Sequence, residues 1–149
     1  MERAVNANGG TLIILLPFIA LALMVLSAIV RPTLVIEAGL GDFIVITCCL
    51  AGWAAWRFGS AIAATWRPYA QVVLYCLPFA LVVRWVHYAL FSGTLLSLHY
   101  YLIDLVVVLS LATLGYFRVR ASQMVRQYHW LYSKKGLFSW TRAAPAEDE

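Results

Sequence analysis

The chain has 149 residues, of which 63% are hydrophobic and only 12% are charged, and its formal net charge at pH 7 is +4. This composition excludes an ordinary water-soluble domain, because such a domain would expose large apolar patches. It also argues against a nucleic-acid partner, since the aromatic residues and apolar segments near the basic residues point to a membrane.

Four apolar segments predict four membrane-spanning helices, because a helix needs about 20 apolar residues to cross a bilayer and lipid cannot satisfy exposed backbone groups. The predicted spans are residues 11–30, 43–64, 69–91 and 95–117. A cleavable signal peptide is the alternative for the first span, with "LSA" at 26–28 as the cleavage site. The predicted fold is therefore an all-α, polytopic membrane helical bundle with a C-terminal amphipathic helix.

Small residues recur at helical spacing along the second predicted span, at Ala51, Ala55, Gly59 and Ala63. Such rows let helix backbones approach closely in lipid. The pattern predicts a packing face, either inside the bundle or toward a partner. Chance in an alanine-rich helix is the alternative.

The third and fourth predicted spans each carry one charge, Arg84 and Asp104, at similar distances from a turn centred near Gly93. A lone charge at such a depth costs about 2.5–3.5 kcal/mol on insertion scales, so charges within spans are expected to pair. We therefore expect an ion pair between Arg84 and Asp104.

A second polar layer is predicted nearer the turn, formed by His87, His99 and Tyr100. Three interpretations are open: a structural hydrogen-bonded layer, a site or pathway for a small polar solute or protons, and a metal or b-type haem held by His87 and His99. Haem with two histidine ligands usually uses well-separated facing helices, whereas these histidines lie on sequence-adjacent helices. We therefore predict neither a cofactor nor a metal.

The segment 118–140 is basic and predicts an amphipathic helix, with Gly136 as its stop signal. Met124, Tyr128 and Leu131 form the proposed apolar docking stripe of this tail. The stripe could lie on the inner leaflet or dock on another protein. Residues 141–149, which end in "AEDE", are predicted to be disordered.

The distribution of basic residues predicts the orientation. Arg67 lies between the second and third spans, and six Lys or Arg residues follow the fourth, whereas the "SGT" link at 92–94 has no charge. By the positive-inside rule, the tail and the N-terminus are both expected in the cytoplasm.

Motifs of enzymes are absent from the sequence. It contains no HExxH, GxSxG, P-loop or GxGxxG pattern, and its three cysteines form no CxxC pair. We therefore predict a protein that is not an enzyme and has no catalytic residues.

Several distinctive segments lie between Phe43 and Trp140: "GWAAW" at 52–56, "ATWRPY" at 64–69, "SGTLLSLHYYLID" at 92–104, and "QMVRQYHWLY" followed by "FSW". On these segments, about two thirds of the chain resembles a family of small bacterial inner-membrane proteins classed as a domain of unknown function. Members of that family look like three-span proteins, often encoded beside branched-chain amino-acid ABC transporter genes. The resemblance implies an accessory role in such transport, and residues 11–30 are an addition to the family pattern.

The favoured function is a non-enzymatic accessory or scaffold subunit of a transport complex in a bacterial inner membrane. The expected partners are the lipid bilayer and another membrane protein, and a homo-oligomer is compatible with the sequence. A small haem-binding or redox membrane protein is the alternative, followed by an oligomeric channel.

Overall fold

Four long helices dominate the chain, whose computed structural model describes residues 7–37, 39–91 and 94–142. We label them α1 (Ala7–Val30), α2 (Leu40–Ala64), α3 (Tyr69–Phe91) and α4 (Leu98–Gln127). A short 3₁₀ turn, Pro32–Leu34, lies between α1 and α2. Two antiparallel strands, β1 (Tyr132–Lys134) and β2 (Trp140–Arg142), follow α4.

All four helices are long and apolar enough to cross a membrane. The helical class of the fold is therefore confirmed, together with the number of candidate spans. The third span matches its predicted limits, 69–91. The predicted turn centre at Gly93 lies outside the described residues.

Helix α2 changes its winding along its length. After one α-helical turn, Leu40–Asp42, the segment Phe43–Ala51 is π-helical, and Gly52–Ala64 is α-helical again. A π-helix is wider than an α-helix and is rare, occurring mostly as single-turn bulges that are frequent at functional sites. The buried side chains of this π-helical segment belong to Phe43, Ile46, Thr47 and Ala51. No local pattern in the sequence predicts this segment.

The predicted row of small residues packs inside the bundle. Ala55 and Ala63 are fully buried and Gly59 is buried as well, so the prediction of a packing face is confirmed. A Cβ atom at Gly59 would overlap the backbone of Ala112 on α4, and one at Gly115 would overlap the carbonyl oxygen of Trp56 on α2. Glycine is therefore required at both positions for α2 and α4 to approach this closely.

Helix α1 is the least enclosed helix. Only 6% of its apolar segment is buried inside the chain, compared with 50% for α4. Pro17 is buried, and the Phe18 ring lies edge-on to Phe138, with ring centroids 5.8 Å apart. Most of the apolar surface of α1 is thus left open to its surroundings.

The turn between α2 and α3 contains the one described non-glycine residue with positive φ, Trp66, at φ 60°. The amides of Trp66 and Arg67 donate to the carbonyls of Ala63 and Ile62, which is the Schellman arrangement that usually has glycine at the left-handed position. The guanidinium of Arg120 lies 4.4 Å from the Trp66 ring centroid. The Trp66 side chain therefore makes a cation–π contact, which offsets part of the cost of this disfavoured backbone conformation.

The predicted amphipathic helix over 118–140 is wrong in its C-terminal half. Helix α4 continues without a break through the tail as far as Gln127, and then the chain turns. Strands β1 and β2 pair with Lys134 opposite Trp140. The cause is tertiary packing: Phe138 contacts both Phe18 and Trp56, which a continuing helix would carry away from the bundle.

Gly136, predicted as a helix stop, lies in the loop between the two strands, where its amide donates to Ser139. Of the tail predicted to be disordered, residues 141 and 142 belong to β2. Residues 143–149 lie outside the described part of the chain.

Candidate functional site

Buried polar side chains cluster toward one end of the bundle, which we call the Glu37 end (residues 31–37, 39–42, 91 and 94–98). Thr47, Arg84, His87 and Asp104 are all at most 6% exposed. They come from α2, α3 and α4, about two helical turns from the Glu37 end, or about 10 Å along the helix axis. Polar and charged residues are rarely buried unless they are paired, so the partners of each group define the site.

Arg84 binds Glu37, in the segment between α1 and α2. Its Nη2 donates to Glu37 Oε2, and its Nε donates to the carbonyl oxygen of Thr94 at 2.7 Å. The amide and the hydroxyl of Thr94 donate to the other oxygen of Glu37, the amide at 2.7 Å. One carboxylate is therefore held at both oxygens, and it ties the two connecting segments of this end to α3.

The pKa of Glu37 is lowered by this arrangement. Partial burial alone would raise it, but the hydrogen bonds from Arg84 and Thr94, together with the positive charge of Arg84, outweigh the burial. The Glu37 carboxylate is therefore held in its ionised form, which is the form that pairs with a guanidinium.

Asp104, Thr47 and His87 form a second hydrogen-bonded group. The Thr47 hydroxyl donates to Asp104 Oδ1 at 3.0 Å and lies 2.7 Å from His87 Nε2. A hydroxyl has one proton, so while it is donated to an ionised Asp104, His87 Nε2 must carry a hydrogen and donate to Thr47. The π-helical segment of α2 supplies the threonine that joins α3 to α4.

The predicted partners Arg84 and Asp104 are neighbours without a direct hydrogen bond. Arg84 Nη1 lies 3.9 Å from Asp104 Oδ2, which is within reach of charge attraction but longer than a hydrogen bond. Asp104 Oδ2 has no hydrogen-bond partner among the described residues. The adjacent cavity, of about 20 Å³, is lined by both side chains and by Glu37 and Asp42, and has room for about one water molecule.

The predicted layer of His87, His99 and Tyr100 is divided between two places. His87 lies in the buried group described above, whereas His99 is exposed and bonds to the carbonyl oxygen of Leu34 at 2.7 Å. The Tyr100 hydroxyl donates to the carbonyl oxygen of Thr33 at 3.1 Å, and its ring lies under the Arg84 guanidinium. His99 and Tyr100 thus fix the segment between α1 and α2 that carries Glu37.

The three residues of the predicted docking stripe do not share a helical face. Met124 lies in the last turn of α4, whereas Tyr128 and Leu131 follow the end of the helix. Leu131 is exposed, and Met124 and Tyr128 are partly buried. A surface role for these residues therefore has to involve the turn and the strands.

Both histidines of the haem interpretation already have hydrogen-bond partners. His87 lies against Thr47 and His99 against the Leu34 carbonyl, so ligation of an iron would require both contacts to be replaced. Within residues 7–37, 39–91 and 94–142, no three His, Cys, Asp or Glu side chains are grouped so that they could hold a metal ion. The absence of haem stays a prediction, tested by the visible absorption spectrum of the purified protein.

Three residues of the site were not predicted from the sequence: Glu37, Thr47 and Thr94. One signal was available for Glu37, because it lies in a link that the predicted topology places at the same end as Arg84. Thr47 had no such signal, since a threonine in an apolar helix usually bonds to its own backbone.

A model of a protein family described as "Domain of unknown function (DUF6867)" matches residues 38–143. The match begins after α1 and spans α2 to β2. It therefore includes Thr47, Arg84, His87, Thr94 and Asp104 but not Glu37. No curated protein matches the chain, and neither does any solved structure.

Proposed function

The chain belongs to the DUF6867 family, and we propose that it is a multi-pass inner-membrane protein acting as a non-enzymatic accessory or scaffold subunit of a bacterial transport complex. The observation that carries this proposal is that Arg84 and Asp104, the charged residues buried within the spans, bind other groups of the same chain. Arg84 is bound by Glu37 and Thr94, and Asp104 by Thr47. A cavity of about 20 Å³ beside them is too small for a metabolite.

The exposed apolar surface supports the membrane part of the proposal. Large aliphatic and aromatic side chains are more than half exposed on α1, α2 and α3, for example Ile29, Trp53 and Trp85. A soluble protein would cover such faces. In a bilayer they contact lipid tails or the helices of another membrane protein.

The distribution of charge supports an orientation. The acidic residues of the described chain, Glu37, Asp42 and Asp104, all lie toward the Glu37 end. We call the opposite end the hairpin end (residues 64–69 and 127–142). Most of the basic residues lie at this end or in the helix segments nearest to it: Arg57, Arg67, Arg118, Arg120, Arg126, Lys134, Lys135 and Arg142. The positive-inside rule places this end in the cytoplasm.

The transport part of the proposal follows from the resemblance to proteins encoded beside branched-chain amino-acid ABC transporter genes. Its test is purification of the full chain, tagged at its own chromosomal locus, in mild detergent. We expect the permease subunits of such a transporter to co-purify in fixed stoichiometry, and loss of the chain to lower uptake of branched-chain amino acids.

A matched control in that experiment is an unrelated four-span protein with the same tag and expression level. Equal recovery of the permease with both proteins, or unchanged uptake without the chain, would reject the transport role. Native mass spectrometry of the same sample distinguishes a homo-oligomer from a complex with another protein.

A further inference from the structure

We propose that the hairpin at the hairpin end, residues 130–142, is a binding site for anionic phospholipid, with Lys134 and Lys135 on the headgroups and Leu137 among the acyl chains. This inference rests on the proposed membrane location and not on the transport role. It gives a function to the part of the tail that forms strands where an amphipathic helix was predicted.

The depth of the hairpin is the first argument. Gln123 Nε2 donates to the carbonyl oxygen of Ala64 at 3.2 Å, so this point of α4 is level with the end of α2. From there α4 continues for about 6 Å to Gln127, which is comparable to the thickness of a headgroup layer. The strands therefore begin at the level of the lipid headgroups.

The tip of the hairpin folds back along the helices. The Phe138 ring lies 5.8 Å from the Phe18 ring and 6.5 Å from the Trp56 ring, and both of these residues lie within candidate spans. Leu137, beside Phe138, is 64% exposed. In a bilayer this leucine contacts acyl chains, because the neighbouring phenylalanine is held at the level of apolar helix surface.

The charge near the tip is the second argument. Lys134 and Lys135 are both exposed and lie two to three residues before Leu137, so their ammonium groups can reach the headgroup level by snorkelling. No acidic residue occurs between Leu105 and Arg142. The exposed Trp130 indole is a further side chain that favours the interface.

These features together favour an anionic lipid over a protein partner. The apolar tip lies beside the helices, and the two lysines lie a short distance from it along the chain. This order matches a membrane leaflet, in which acyl chains lie beneath charged headgroups. A basic residue near an anionic membrane surface strengthens binding by about fivefold. Two lysines therefore give about 25-fold.

The test uses the full chain, purified in detergent and titrated with phosphatidylglycerol or phosphatidylcholine, with bound lipid counted by native mass spectrometry. We expect tighter binding of phosphatidylglycerol. Lys134→Gln and Lys135→Gln should each weaken it about fivefold, and the double variant about 25-fold. Leu137→Ser should also weaken it, and inorganic phosphate at the same concentration should not compete.

Arg31→Gln is the matched control, because it removes an exposed basic residue at the Glu37 end and should leave phosphatidylglycerol binding unchanged. Equal affinity for the two lipids would overturn the proposal, as would a double variant that binds like Arg31→Gln, or competition by free phosphate. Shielding of Leu137 from solvent that occurs only after a protein partner is added would also overturn the proposal. Carbonate-resistant flotation with vesicles separately tests membrane insertion. Failure of the lipid-binding proposal is therefore distinguishable from failure of the proposed membrane location.

Discussion

The buried Arg84 side chain makes its hydrogen bonds to residues other than the partner expected from the sequence. Sequence distances from a single turn placed Arg84 and Asp104 at the same depth, and the structure brings them to 3.9 Å. The hydrogen bonds of Arg84 nevertheless go to Glu37 and Thr94. Glu37 is 47 positions away from Arg84 in the sequence. Counting residues from the turn between α3 and α4 cannot reveal a contact with the segment between α1 and α2.

Double-mutant cycles should therefore give a larger coupling energy for Arg84 with Glu37 than for Arg84 with Asp104. We expect about 1–2 kcal/mol for the hydrogen-bonded pair, after allowing for the partial exposure of Glu37, and under about 1 kcal/mol for the other pair. The measurement is unfolding of the single and double variants Arg84→Leu, Glu37→Gln and Asp104→Asn in mixed micelles. A larger coupling with Asp104 would contradict this order and make Asp104 the main partner of Arg84.

Glu37 also predicts a pH dependence. Its pKa is lower in the folded chain than its ordinary value of 4.5, so the folded state favours the ionised carboxylate. This contribution to stability is fully present above pH 4.5 and is lost as the pH falls through the lowered pKa. The difference in unfolding midpoint between the wild-type chain and Glu37→Gln should therefore be largest near neutral pH and should shrink in acid.

Asp42→Asn is the matched control for this pH series. Asp42 lies at the same end, but no hydrogen bond or ion pair connects it to Arg84 in the described part of the chain. This variant should keep the acid loss of stability seen in the wild-type chain. A Glu37→Gln variant with the same acid loss would show that other groups cause it.

At the scale of the elements, the sequence revealed the helices and the α2 packing face because apolar length and small-residue spacing are local signals. It did not reveal the π-helical segment Phe43–Ala51, whose buried face carries Thr47 to α3 and α4. It also missed the strands after Gln127, because their position depends on the contacts of Phe138 with α1 and α2. For the strands, tertiary packing therefore overrides local periodicity.

The close approach of α2 and α4 makes a sharp prediction at this scale. Gly59→Ala should destabilise the bundle by about 1–3 kcal/mol, since the added methyl group would overlap the backbone of Ala112. Gly41→Ala is the matched control, because no atom lies within 4 Å of the added carbon. Thermal unfolding in detergent should give a lower midpoint for Gly59→Ala and no decrease for Gly41→Ala. Equal midpoints would mean that the helices separate without cost.

At the scale of the whole molecule, the sequence and the structure agree that acidic and basic residues lie toward opposite ends. The structure gathers Glu37, Asp42 and Asp104 toward one end and leaves the acid-free segment from Leu105 to Arg142 to run toward the other. The asymmetry of charge does not depend on whether the tail is a helix or a hairpin, because both place the same basic residues at the same end.

The orientation can therefore be tested without knowledge of the function. A reporter fused after Glu149 should be active in the cytoplasm, because moving the basic hairpin end across the membrane would break the positive-inside rule. A reporter fused after Phe91, at the other end of α3, should be active only on the far side. Removing residues 1–30 should leave both results unchanged if the charges of the hairpin end set the orientation. Reversal of both reporters in the shortened chain would instead give that role to α1.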